Sequence, residues 1–222
     1  MSNEIDNTTP GNASGTNDMI IVIGRQFGSG GRRIGKLVAQ KAGIKYYDSE
    51  LLAKAAEMMG YSRHIFDIHD EKKPSFFRSL LQGTVGVADN FHDVSISGER
   101  LYKVQAEVIR RICREGPCVI VGRTADYVMR GHKGLTSVFL HAPIEIRANA
   151  ILKRGESSDL EEAIEKAKKF DKNRESYYNY YTGSQLWGKA ENYSLSLDSS
   201  LLDDETAAGI ILAFALRRQR EK

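Results

Sequence analysis

Two rhythms of apolar residues run along this chain. Continuous, largely β-branched runs at 19–23, 118–121 and 137–140 show no polar face, as strands buried on both sides do. They stop at Gly24-Arg25, Gly122-Arg123 and His141-Ala142-Pro143. Shorter runs at 44–47 and 193–197 predict two more strands. Between them the spacing becomes helical. Ile34, Leu37, Val38 and Ala42 share one face, as do Leu51, Leu52, Ala55, Met58 and Met59. Further helices are predicted over 99–115, 147–154, 160–178 and 203–218. Asp48 or Ser49 is the expected cap of the helix carrying Leu51.

Strands alternating with helices predict an α/β fold, a parallel sheet with helices on both faces. Ligands of such sheets bind outside the carboxyl ends of the strands. Arg25, Asp48, Arg123 and His141 all fall at those ends. Two segments break the pattern. Residues 1–18 are rich in Asn, Thr, Gly and Ser and are expected to form a disordered tail; they lack the basic start and apolar centre of an export signal. Residues 60–98 mix aromatics, charges and three of the five histidines, and read as an inserted helical region within a domain spanning 19–222.

Composition narrows the classes. A chain of 222 residues buries a substantial core without staples, and 41% hydrophobic with 27% charged residues is ordinary for a globular protein. A net charge of +3 argues for neither a nucleic-acid polymer nor a membrane as partner. The two cysteines form no CxxC pair, and no apolar run is long enough to span a bilayer, so a reducing, cytoplasmic setting is expected. His64, His69 and His92 lack metal-ligand spacing, and no metal site built from protein side chains alone is expected.

The candidate chemistry starts at Gly28-Ser29-Gly30-Gly31, between a strand and a helix. Glycine-exposed N–H groups at a helix start make a nest for an anion, phosphate above all. The Walker pattern G-x-x-x-x-G-K-[ST] is not matched: Gly31 stands at the lysine, Arg25 at the first glycine, and Arg32 or Arg33 at the Ser/Thr position. A guanidinium of Arg32 or Arg33 is the expected substitute for the missing ammonium. Ser29 offers a hydroxyl near a metal. The bland alternative is a tight turn that only packs helix on strand. Downstream, Arg147 and Arg154 lie two helical turns apart and are expected on one face. Asp171 and Arg174 are helical neighbours. The tyrosines at 177, 178, 180 and 181, with Trp187, are expected to pack their helix against the last strand.

The segment 23–35, IGRQFGSGGRRIG, resembles the opening of the cytidylate kinase-like proteins, a divergent branch of the P-loop nucleoside monophosphate kinases. Tyr46-Tyr47-Asp48-Ser49, Gly122-Arg123 and Asp171-Lys172-Asn173-Arg174 are similar to other motifs of that family, and the likeness runs from residue 19 to the C-terminus. It implies a three-layer P-loop fold with a five-stranded parallel sheet, a lid over 147–178 and a monophosphate-binding insertion over 60–98. It implies transfer of the ATP γ-phosphoryl group to CMP or dCMP with Mg2+. Gly28, Ser29, Gly30, Gly31, Arg32 and Arg33 would hold ATP. Asp48, Ser49, Lys54, Arg123, Asp171 and Arg174 would hold the acceptor. Arg32, Arg147, Arg154 and Arg174 would stabilise the transferred group, since phosphoryl transfer asks mainly for positioning and positive charge. The chain departs from the family at Gly31, at Ala167, where an Arg precedes the Asp-x-x-Arg, and at His141, where an Asp is common. Two other readings stay open: a nucleotide-binding sensor without turnover, and a kinase for another small acceptor.

Overall fold

A computed structural model describes residues 18–61, 91–183 and 185–220; in the first part of the helix that begins at Phe91, the side chains of 91–98, 100 and 101 are not included. The tail expected before residue 18 and the segment 62–90 of the expected insertion lie outside the described residues.

Five strands form one parallel sheet: β1 (Ile20–Arg25), β2 (Lys45–Tyr47), β3 (Cys118–Val121), β4 (Leu135–His141) and β5 (Leu195–Asp198), in the order β2-β3-β1-β4-β5. β1 is central, with Ile21 opposite Val119 on one side and Thr136 on the other. Strand side chains alternate between faces. Ile21, Ile23, Val119, Val121, Val138 and Leu140 therefore pack against α1 (Gly31–Ala42) and α7 (Asp204–Arg220) through Ile34, Val38, Ala208 and Ile211. Ile20, Val22, Cys118 and Ile120 face α2 (Ser49–Met58) and α3 (Phe91–Arg114) through Leu52, Ala56, Val108 and Ile109. Both faces are covered, which explains the unbroken apolar runs; each buried Ile or Val adds about 1.5–3 kcal/mol.

α3 begins at Phe91, eight residues before the expected 99. The stretch FHDVSISG is poor in strong helix formers, and Gly98 reads as a boundary. A four-residue helix, α4 (Ala125–Val128), was not expected. α5 (Ile144–Lys153) and α6 (Leu160–Thr182) pair through a small core of their own: Ala148, Ile151, Ala163 and Ala167. The tyrosine cluster divides. Trp187 and Tyr193 pack on Phe139 of β4, whereas Tyr181 stacks on Tyr102 of α3 at 4.3 Å. Cys113 and Cys118 are free thiols. No helix among the described residues is long and apolar enough to cross a membrane.

Candidate active site

The Gly-rich turn leaves β1 at the carboxyl edge of the sheet. It is fixed there by Gln26, whose N–H donates to Leu140 O at 2.9 Å and whose Oε1 accepts from the Ala142 N–H at 3.1 Å. The Ser29 hydroxyl donates to Gln26 O at 2.9 Å and lies 3.3 Å from Leu140 O. It faces the sheet, so Ser29 presents backbone, not the metal-directed hydroxyl expected from sequence. Gly28 has φ 87°, and a Cβ there would sit 2.7 Å from Arg147 O. Gly30, at φ 83°, is the N-cap of α1 and brings no side-chain cap. The first N–H groups of a helix have no internal acceptor, and the first turn of α1 carries no acidic residue to occupy them. That end is electropositive and suited to an anion.

The turn is gripped from above by α5 and α6. The Phe27 N–H donates to Asp171 Oδ1 at 2.7 Å, and Arg147 Nη1 donates to Asp171 Oδ2 at 2.7 Å and to Phe27 O at 3.0 Å. Arg147 Nε donates to Ala142 O at 2.8 Å. Arg147 is only 6% exposed. These bonds commit it to the turn, whereas sequence reasoning aimed it at the transferred group. Asp171, expected at the acceptor, likewise spends both oxygens on the turn and its clamp. Burial pushes the Asp171 carboxyl upward, against the Phe27 N–H and the charges of Arg147 and Arg174. Phe27 stacks on Phe170 at 4.5 Å, with the guanidinium of Arg174 at 5.3 Å and that of Arg154 at 5.9 Å from its ring centre. Arg174 Nη1 also donates to Arg25 O at 3.3 Å. Arg154, at the C-terminal end of α5, pairs with Glu156 at 2.8 Å and does not share the buried face of Arg147.

On the other flank Asp48 caps α2, accepting from the N–H groups of Glu50 and Leu51 at 3.1 Å each, and receives the Tyr46 hydroxyl at 3.4 Å. Arg32 Nη2 donates to Ser49 Oγ at 3.3 Å, joining α1 to α2. Burial and the charge of Asp48 push the Tyr46 phenol up, while Arg32 and Arg25 pull it down; these charges therefore meet around one hydroxyl. Arg33 is different. Its Nε and Nη2 fork onto Asp204 at 2.6 and 3.2 Å, so its charge is shared with α7, while Nη2 stays beside the turn, 3.3 Å from where a Cβ on Gly30 would sit. Lys54 stands exposed on α2.

The carboxyl end of β3 is strained. Gly122, Arg123 and Thr124 have φ of 87°, 62° and 53°, three successive left-handed residues of which two carry a Cβ. Such positions cost about 1–3 kcal/mol each and gather at functional sites. The charge of Arg123 bears on the buried Tyr177 phenol, which donates to Gln105 Oε1 at 2.8 Å. Nearby, Asp126 receives the Tyr178 hydroxyl at 2.6 Å, and burial lifts its carboxyl to about 6 despite that bond. Its folded value lies above its ordinary one, so the native state binds the proton more tightly and its contribution to stability falls as pH rises from about 4 through 6. Asn cannot titrate and still accepts from Tyr178. The stability of Asp126→Asn relative to wild type is expected to rise by about 1–2 kcal/mol between pH 4 and 7, given partial exposure. Urea unfolding at both pH values checks it.

Arg25, placed from sequence at a strand end and at the first Walker glycine but given no role there, enters the site. The stem of Arg25 lies over Gly31: a Cβ on Gly31 would sit 2.8 Å from Arg25 Cγ and 2.9 Å from its Cβ. A Cβ on Gly122 would overlap Arg25 Nη1, so the guanidinium reaches the end of β3. The signal was present in the Walker comparison, where Arg stands at the first glycine and Gly at the lysine. Among the described residues no three His, Cys, Asp or Glu gather as a metal cage. Mg2+ that travels on a nucleotide needs only one or two carboxylates besides phosphate oxygens, and the buried Asp48 at this edge is suited to that part.

A model of the cytidylate kinase-like family matches residues 20–201. A cytidylate kinase of Methanopyrus kandleri is 26% identical over 204 residues, covering 88% of this chain and 92% of that protein. One of Pyrococcus horikoshii is 26% identical over 165 residues, covering 73% and 71%. Among solved structures, an uncharacterized protein from Eubacterium ventriosum superposes with a TM-score of 0.66 at 24% identity, covering 89% of this chain and 98% of that one. A shikimate kinase from Acinetobacter baumannii, in complex with shikimate, superposes with a TM-score of 0.50 at 13% identity, covering 91% and 95%. These two likenesses are of fold.

Proposed function

The chain belongs to the cytidylate kinase-like family of ATP-dependent, P-loop phosphotransferases, and from that premise we propose that it transfers the γ-phosphoryl group of Mg-ATP to CMP or dCMP. The observation that carries the reading is the meeting of positive groups at one sheet edge. The uncapped start of α1, Arg32 on Ser49 and Arg174 on the Arg25 carbonyl stand about the Gly-rich turn, and Arg123 follows the end of the neighbouring strand β3. Donor and acceptor phosphates together are strongly anionic, and their transfer is accelerated by fixed positive charge and alignment.

In this reading the N–H groups of Gly28–Arg33 hold the donor phosphates. Arg123 and Arg174 hold the acceptor phosphate, with Ser49 and Lys54 on the α2 side. Arg154 and Arg32 face the transferred group. Arg147 and Asp171 act as positioning residues for the turn. Residues 147–178 serve as the lid that excludes water when both substrates are bound. Mg2+, when bound with ATP, neutralises phosphate charge, and Asp48 is its proposed protein partner.

The relatives that are cytidylate kinases support a cytidine acceptor. One observation favours a different small acceptor: Ala167 is fully buried between α5 and α6, so the family's arginine at this position has no counterpart and no room. Coupled ADP release from Mg-ATP, measured with CMP, dCMP, UMP, AMP, GMP and unphosphorylated small acceptors, decides between them. Turnover with CMP or dCMP alone is the expected result. Turnover with another acceptor would replace the cytidine assignment, and ATP binding without any turnover would make the protein a sensor.

A further inference from the structure

We infer that Arg25 is the phosphate-binding cation that replaces the missing Walker lysine, through a reciprocal exchange of residues across the Gly-rich turn. The inference rests on the ATP-dependent reading above and deepens it. In the Walker pattern a glycine opens the turn and a lysine closes it. Here the opening residue is Arg25 and the closing one is Gly31. The two positions are in contact: the Cβ and Cγ of Arg25 fill the space that any side chain at 31 would enter, 2.9 and 2.8 Å from a Cβ there. The absence of a side chain at 31 is what lets the arginine stem cross the start of α1. The charge is thereby moved from one end of the turn to the other without leaving the site.

Three further observations place that charge among phosphate-directed groups. Its Nη1 is seated against Gly122, beside Arg123, and a Cβ on Gly122 would overlap it. Together with Arg32 it acts on the Tyr46 phenol, so it stands within reach of the α1 start. Its own carbonyl is held by Arg174 at 3.3 Å, which ties the last residue of β1 to α6 and limits its freedom. Arg33 forks onto Asp204, and Arg32 reaches Ser49 on the acceptor flank. A side chain whose stem crosses the first turn of α1 and whose guanidinium lies at the end of β3 offers forked donors to a phosphate bound on the α1 N–H groups.

The test is an exchange of the pair, read first as binding. Arg25→Met keeps the stem over Gly31 and removes the charge. It is expected to weaken ATP about 10–100-fold, the worth of hydrogen bonds to a charged group, and to leave adenosine binding unchanged. Gly31→Lys alone is expected to lose ATP binding or stability, because the new Cβ meets the Arg25 stem. The double variant Arg25→Gly/Gly31→Lys, which restores the Walker order, is expected to bind ATP at least about tenfold more tightly than Arg25→Met. Equal ATP affinity in Arg25→Met and wild type, or parallel loss of ATP and adenosine, would overturn the inference and leave Arg25 as a strut for the Gly122 turn. So would a folded double variant no tighter than Arg25→Met. If the double variant fails to fold by thermal unfolding, the ATP-against-adenosine comparison in Arg25→Met decides alone. ATP binding needs no acceptor. Failure of every acceptor in the turnover panel would therefore overturn the cytidine reading without touching this one.

Discussion

Arg123→Ala and Arg123→Gly are expected to lose turnover alike, by about 10²–10³-fold, yet to differ in stability, with the glycine form higher by about 1 kcal/mol. The reasoning separates side chain from backbone. Arg123 sits at φ 62° between Gly122 and Thr124, both also left-handed. A residue with a Cβ is strained there and a glycine is not. Ala removes the guanidinium and keeps the strain; Gly removes both. A position selected for packing would show its loss in stability for either substitution. One selected for a charge at the end of a buried strand shows it in kcat. ATP affinity is expected to stay within about threefold of wild type in both variants, because Arg123 is assigned to the acceptor phosphate and uniform loss of binding is a different signature. Steady-state kinetics with the accepted monophosphate, ATP titration and urea unfolding give the three readouts. Retained turnover in either variant, or a glycine form less stable than the alanine form, would count against the assignment.

How far the sequence could be read follows from what each element buries. β1, β3 and β4 are legible because a central strand covered on both faces is apolar nearly throughout, and the runs at 20–23, 118–121 and 137–140 hold a single polar residue, the buried Ser137. The start of α3 is hidden because the helical spacing is weak across 91–98, and α4 is too short to show a period at all. Strand order was not legible, since it depends on where crossovers land rather than on any residue. At the site, Arg123 stood out because it follows a buried strand directly. Asp171 and Arg147 stand out in the sequence, but their use does not. Charges 24 residues apart give no sign that they will meet at 2.7 Å and satisfy one another. Arg25 was seen as a departure at the first Walker glycine, and only the folded chain shows its stem turning back across Gly31. Arg33 was placed at the mouth of the turn by its neighbours in sequence. Asp204, 171 residues away, also holds it, which no local spacing reveals.

Asp171→Ala is expected to destabilise the protein by about 3–5 kcal/mol and to abolish most turnover. Arg147 is 6% exposed, and its guanidinium would be left buried with its countercharge gone. The Phe27 N–H would lose its acceptor as well. The converse experiment tells what the pair is for. Burial already pushes the Asp171 carboxyl upward, so desolvation outweighs the attraction of two arginines and the ion pair is a poor source of stability. Replacing both charges with apolar groups, Asp171→Leu/Arg147→Met, should therefore restore stability to within about 1–3 kcal/mol of wild type, the remainder being the unsatisfied Phe27 N–H, the Phe27 and Ala142 carbonyls that lose Arg147, and Arg174, which stands 3.7 Å from Asp171. Turnover should not follow. Asp171 and Arg147 hold Phe27 by its N–H and carbonyl, and a turn displaced by about 1 Å is enough to lower rate about 10²-fold. Urea unfolding and kcat on the single and double variants distinguish the cases. If turnover returned together with stability, the pair would be a fold element that happens to lie beside the turn. If stability returns alone, a buried ion pair that adds little to folding is retained because it fixes where the phosphate-binding backbone stands.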